Sequence, residues 1–527
     1  MLVEWLNFKF PLSLLFGRKL SSDVFLRQHS IYCTGELLRQ VQTAKLFDDN
    51  KAFVDMKLTA APEVVLDAFS NLTWRFPNGT VPASDLRLFV NTYFVGDGKE
   101  FEPWAPPDWH EKPKFLSKVS DLNFRNWAEE LHGLWKLLGR KISTDVEDNP
   151  QLHSMIYVPN PVIVPGGRFT EFYYWDSYWV LNGLLLSEMT DTARGIIQNF
   201  LYMVDRYGFV PNGGRVYYER RSQPPFLCLM VESFYEATKD LEFIRQALPT
   251  LEKEYSFWME NQPPVSEKLW TELKAAAESG WDFSSRWYIN SSGQNTGSFR
   301  NTSTSSILPV ELNALMCRSE HLLATFSRIL GDEERALVYD RAASARLKAI
   351  ESVLWDAEKG AWFDYNLLSG ARHPAFYPTN VSPLWAKCHS QPGMGQLALQ
   401  YLKASGGLDY PNGIPTSLSE TGQQWDMPNA WPPLQHILIE GLSQLDLADA
   451  KELAFDLAQR WIRTNWMAYN KYEAMFEKVG FCISVGFGWT NGVALQLLDQ
   501  YGDSGCELFK LIYPHISNHF LLFVFVL

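Results

Sequence analysis

Residues 165–179 read PGGRFTEFYYWDSYW and crowd an arginine, several aromatic rings and the acids Glu171 and Asp176 behind a Gly-Gly turn. Aromatic faces stack on the apolar faces of pyranose rings, and guanidinium and carboxylate groups fix hydroxyls through charge-assisted hydrogen bonds. Residues 423–433, QQWDMPNAWPP, repeat the Trp-Asp pair beside prolines that stiffen a loop. Two such loops fit poorly as plain core and point to carbohydrate chemistry.

The rest of the composition agrees. A chain of 527 residues that is 46% hydrophobic can bury a large core. Its 20 Trp, 22 Tyr and 34 Phe suit a thick core and a sugar-lined cleft alike. The formal charge of −13 argues against nucleic acid, whose phosphates need clustered Lys and Arg; a small uncharged ligand fits better. The cysteines at 33, 228, 317, 388, 482 and 506 show no spacing that makes a metal site, so neither a metal nor a cofactor is implied. Asn-x-Ser/Thr triplets at Asn71, Asn78, Asn290, Asn301 and Asn380 are compatible with a secretory route. The apolar run at 8–16 is preceded by Glu4 and interrupted by Lys9, an incomplete signal-peptide pattern, and the eight apolar residues 520–527 are too few to cross a bilayer.

Apolar residues recur three and four apart over 124–138, 178–186, 193–207, 312–330, 332–354, 394–402, 434–445, 448–466 and 490–498, which predicts helices. Loops rich in Gly, Pro and Asn separate them at 211–214, 290–297 and 411–415. Strand alternation is scarce, so the fold class is all-α. No sequence repeat of fixed period is visible, which argues against a solenoid of near-identical units and leaves paired helices around one core open.

The two Trp-Asp loops resemble the two signature patterns of the trehalases, glycoside hydrolase family 37, and the animal enzymes in particular. The resemblance runs from about Cys33 to about Gly502. It implies an (α/α)6 toroid with the active site at one mouth, arranged as an atypical N-terminal segment (1–32), a catalytic domain (33–505) and a C-terminal tail (506–527). It implies hydrolysis of α,α-trehalose to two glucose molecules with inversion, trehalose as the small-molecule partner, and an extracellular or cell-surface location, with membrane attachment open.

Glycoside hydrolysis needs two carboxyl groups, an acid for the leaving oxygen and a second group on the opposite face of the ring. Asp282, in ESGWDFSSRW at 278–287, matches the family's catalytic-acid motif. Read alone, an Asp after Gly-Trp is more often a turn or helix cap. The resemblance further implies substrate contacts at Arg168, Trp175, Asp176, Asn212, Arg221, Ser222, Gln223 and Gly280, with Trp425, Asp426 and Trp431 nearby. Without the family, each is an ordinary loop residue, and Arg168 paired with Glu171 would be structural.

Two family elements are missing. The motif GFGWTNGV at 486–493 follows MFEK and VGFCISV directly, where trehalases carry a glycine-rich GGGGEY loop whose glutamate the resemblance implies as general base. Residues 262–270, QPPVSEKLW, stand where an Arg-Pro-Glu-Ser element would supply an arginine and a glutamate. Both breaks are abrupt and flanked by close matches, as in a skipped coding segment. Glu473 and Glu477 are the nearby acids, and the expectation gives them no catalytic part. The chain then reads as an impaired hydrolase, as a sugar-binding relative that does not cut, or as a splice or gene-model product.

Overall fold

The computed structural model describes residues 22–96, 100–260, 268–480 and 487–503. Residues 1–21, 97–99 and 504–527 and the two breaks at 261–267 and 481–486 lie outside them, as do Cys482 and Cys506.

From residue 122 onward the chain alternates between two kinds of helix. Leu122–Leu138, Thr190–Tyr207, Leu241–Glu260, Glu333–Ala349, Pro392–Ala404 and Ala448–Tyr472 each bury one stripe and expose the other. Asp176–Leu186, Leu227–Thr238, Val310–Ile329, Ser382–Trp385, Pro432–Ser443 and Gly488–Tyr501 are buried nearly all round. A helix apolar on every face has to be enclosed by others, so the second set forms an inner ring and the first its outer wall. Each inner helix packs on the next in chain order, and the last, Gly488–Tyr501, packs on the first, Asp176–Leu186. That contact closes an (α/α)6 toroid.

Closure depends on two glycines. Gly183 and Gly492 face each other where the first and last inner helices cross. A Cβ on Gly492 would lie 2.0 Å from the Trp179 carbonyl oxygen, and one on Gly183 would lie 3.1 Å from the Gly492 Cα. Any larger residue at 492 forces the two backbones apart.

The observed helices cover the periodic stretches and add others that periodicity does not reveal, among them Pro62–Thr73, Ala83–Tyr93, Leu227–Thr238, Leu241–Glu260 and Lys268–Glu278. The stretch predicted at 332–354 is capped by the Asp332 side chain and ends at Ala349, after which residues 350–354 form a wider π turn. Strands among the described residues are short and pair in groups of two or three. The Ser22–Tyr32 helix, inside the segment set apart at 1–32, packs on the rest of the chain: Gln28 Nε2 donates to the carbonyls of Pro150 (2.8 Å) and His153 (2.6 Å).

The ring sets the site by its direction of travel. Inner and outer helices alternate in direction, so the inner helices present their N-termini at one end. Five of the six segments that lead into those N-termini carry the motifs of the sequence, within 165–175, 211–226, 280–309, 423–431 and 473–480. Gly492→Ala should lower the urea midpoint by an amount equivalent to about 3 kcal/mol or more. Gly133→Ala, on an outer helix with open space around it, should be neutral or stabilising by about 0.5–1 kcal/mol.

Candidate functional site

Indole rings from three loops and the first turn of the last inner helix meet at the mouth. Trp281 stacks on Trp425 at 5.3 Å, and Trp425 stacks on Trp431 at 4.0 Å with the planes 1° apart. Trp175 meets Trp425 at 5.9 Å and Trp489 edge-on at 5.7 Å. All five rings are buried, so they form the floor on which the polar groups stand.

Five consecutive residues, 278–282, tie the motifs together. The Glu278 carboxylate oxygen Oε1 accepts the Ser222 N–H at 2.7 Å. Gly280 has φ +80, and a Cβ there would lie 2.9 Å from the Trp175 ring, so the position needs a glycine to pack on that indole. Asp282 Oδ1 accepts the Trp425 indole N–H at 3.2 Å, and the Asp282 carbonyl accepts from Gln424 Nε2 at 3.1 Å. The acid is therefore clamped by the second signature loop at side chain and backbone.

The substrate-contact candidates of 211–223 join the first signature loop. Gln223 Oε1 accepts the Trp175 N–H at 3.1 Å, and Arg221 Nε donates to Asn212 Oδ1 at 2.8 Å. The Ser222 hydroxyl is fully buried and donates to the Val210 carbonyl at 2.7 Å, so its side chain fastens the loop.

Three carboxyl groups share this space: Asp176, Asp282 and Glu477. Burial pushes Asp176 up to about 8, with Glu477 and Asp282 adding repulsion. Burial also raises Asp282, Glu477 adds to the rise, and the Arg221 charge opposes it. Glu477 sits in a bend two residues before Val479, which bridges Ala430. Its carbonyl accepts the Trp489 indole N–H at 2.9 Å, and Lys478 lies 4.3 Å over the Trp431 ring with Nζ 3.2 Å from the Glu477 carboxylate. Glu473, by contrast, is an exposed residue at the end of Ala448–Tyr472. Sequence reasoning set both glutamates aside; the structure separates them and brings Glu477 to the acids.

Other expectations land elsewhere. Arg168 does not pair with Glu171: it is half exposed, and its Nη2 lies 3.1 Å from Asp49. Glu171 is fully buried and takes Lys51 (2.8 Å) and Arg215 (3.5 Å) instead. Asp426 is buried and accepts from Ser284 Oγ (3.1 Å), the Ser285 N–H (2.9 Å), Ser417 Oγ (3.1 Å) and Thr421 Oγ1, which leaves it a loop fastener. Arg286, not singled out in the sequence, supports the floor: it forks onto Asp364 and Glu311 and lies 4.4 Å over Trp281. Its position in SSRW beside the acid motif is the one signal that pointed to it.

Among the described residues, Cys317, His321 and Cys388 bring metal-ligating atoms together, but Cys317 and Cys388 are joined as a disulfide, which leaves no free thiolate there.

The floor of indoles, the clamped acid and the ring of helices define a glycoside hydrolase of the helical-toroid class. The family model for Trehalase matches residues 45–266 and 263–502, and its two pieces meet at the first break. A trehalase of Oryctolagus cuniculus is 47% identical over 98% of each chain, and one of Homo sapiens is 47% identical over 96% of each. This chain belongs to the trehalase family. The alignment with the rabbit protein spans 571 positions against 527 residues here, so at least 44 of its positions have no counterpart in this chain. Neutral trehalase Nth1 from Saccharomyces cerevisiae shares the fold, with a TM-score of 0.54 at 23% identity over 65% of this chain and 74% of that one.

The raised Asp176 carboxyl carries a consequence for stability. The folded chain holds this proton up to about pH 8, whereas an unfolded Asp releases it near 3.9. The stabilisation from binding that proton is complete below the unfolded value and is lost as pH climbs toward 8. Asp176→Asn removes the burden, so its melting temperature should exceed that of the wild type by a margin that widens from pH 5 to pH 8, read by calorimetry or dye-monitored melting.

Proposed function

We propose that this chain hydrolyses α,α-trehalose with inversion, Asp282 acting as general acid and Glu477 as the second carboxyl group. The observation that carries the reading is the gathering of carboxyl groups beside the indole floor, where the Glu477 charge reaches both Asp282 and Asp176 and helps to raise them. Burial raises the Asp282 carboxyl above the usual aspartate range, which favours the protonated form that a general acid needs, and the indole N–H of Trp425 orients it. In this reading Arg221, Asn212 and Gln223 hold hydroxyls and Trp175 supplies a stacking face, supported by the bonds that tie these residues together beside Asp282. Inversion requires the second carboxylate to act through a water on the far side of the ring.

This reading moves the base from the missing glycine-rich loop to Glu477. The two breaks then cost substrate contacts, so trehalose should bind less tightly than in relatives that carry both elements. The breaks also favour a second reading, a protein that binds trehalose without cutting it.

An extracellular or cell-surface location fits the Cys317–Cys388 disulfide and the exposed side chains of Asn71 and Asn78 in their triplets. Asn380 does not serve as an acceptor in the folded chain, because it is buried and its Nδ2 donates to the Trp362 carbonyl at 2.8 Å. No helix among the described residues is long and apolar enough to cross a membrane.

The test is glucose release from trehalose by the purified chain. Asp282→Asn and Glu477→Gln should each lower kcat by about 10²–10⁴-fold, and proton NMR of the first products should show one α- and one β-glucose. Full activity in Glu477→Gln would remove that residue from the mechanism. Saturable trehalose binding with no glucose from the wild type would select the binding protein.

A further inference from the structure

We propose that Glu278 is a positioning residue that holds the 221–223 segment against the acid-bearing turn and so sets trehalose affinity. The inference rests on the reading above that residues 221–223 meet the sugar.

Glu278 ends the Lys268–Glu278 helix, four residues before Asp282, and is buried. Its Oε1 accepts the Ser222 N–H at 2.7 Å, and Ser222 is itself fully buried. The turn between the two acids is stiff: Ser279 Oγ donates to the Ala276 carbonyl at 2.6 Å and accepts the Trp281 N–H at 3.1 Å. The neighbours of Ser222 are the groups that matter for binding. Arg221 bonds Asn212 on one side, and Gln223 bonds the Trp175 backbone on the other. One buried hydrogen bond thus fixes the spacing between the proton donor and the hydroxyl-binding groups.

The charges around Glu278 indicate which property of it counts. Lys274, one turn back on the same helix, and Arg221 both face it, yet burial pushes the carboxyl up to about 8. Burial also lowers Lys274 to about 8, and its Nζ is buried with no hydrogen-bond partner among the described residues. At neutral pH Glu278 therefore acts as a neutral acceptor of the Ser222 N–H more than as a counter-charge. A glutamine keeps the shape and the acceptor oxygen; a methionine keeps the volume and loses the acceptor.

The experiment compares Glu278→Gln and Glu278→Met in the full chain by two readouts, hydrogen exchange in peptides covering 219–226 and trehalose binding. Glu278→Met should speed exchange in that segment and raise KM, or the calorimetric Kd, by about tenfold, the cost of leaving a buried N–H without its partner, with kcat changed far less. Glu278→Gln should stay within about twofold of wild type in both, as expected where acceptance and not charge is the role. Unchanged exchange in Glu278→Met, or equal damage in both variants, overturns the proposal. So does a Glu278→Met chain that fails to fold while Glu278→Gln folds, which would make the residue a general support of the core. A wild type that releases no glucose would count against the hydrolytic reading, while exchange and calorimetric affinity would still decide the role of Glu278.

Discussion

The crossing of Gly183 and Gly492 is the contact on which the rest of the structure depends. The first and last inner helices touch backbone to backbone there, which is possible because neither position carries a side chain. Without that approach the helices would form an open arc and the loops before residues 176 and 488 would stand apart. With it, Trp175 and Trp489 come within 5.7 Å, and Trp489 holds the Glu477 carbonyl. Long-range order thus follows from two absent methyl groups.

Closure also fixes the electrostatics of the mouth. Inner helices with N-termini at one end turn their free N–H groups and positive dipole ends toward the cleft. That field favours carboxylates, yet Asp176 and Asp282 lie where burial opposes ionisation, and burial is the larger effect on each. Three carboxyl groups gathered beside the indoles fit poorly in a structural core, because like charges at close range raise one another. They are suited to chemistry in which one group holds a proton while another lacks it.

How much of this was legible in the sequence depended on whether the signal was local. Helices with one buried stripe showed their period, whereas LCLMVESFYEAT at 227–238 did not, because a helix buried on nearly every face has no polar phase to mark it. The Leu241–Glu260 helix was concealed by Pro249 in its interior, which reads as a breaker. In the site, the motif residues were visible as motifs, but their partners were not. Arg168 looks paired to Glu171 three residues on; the fold gives it Asp49, from a segment with no role assigned, and gives Glu171 to Lys51. Asp426 repeats the Trp-Asp pair of Asp176 and yet faces four donors from two loops, while Asp176 faces two acids. Identical dipeptides acquire opposite duties through contacts distant in sequence.

The same distinction explains why the two breaks leave the architecture standing. Both fall in connections, one before Lys268–Glu278 and one before Gly488–Tyr501, and each helix beyond a break is anchored by bonds on its far side. Glu272 accepts from the Ser305 N–H at 2.8 Å and from Ser305 Oγ, and Thr490 Oγ1 donates to the Phe476 carbonyl at 2.6 Å across the second break. Shortening a connection between elements fixed in this way costs little closure entropy. What a shortened loop cannot keep is whatever it presented to the cleft. Ring and acid belong to the helices and their capping turns, which are fixed by bonds outside the two connections, so the chain keeps both with the connections shortened.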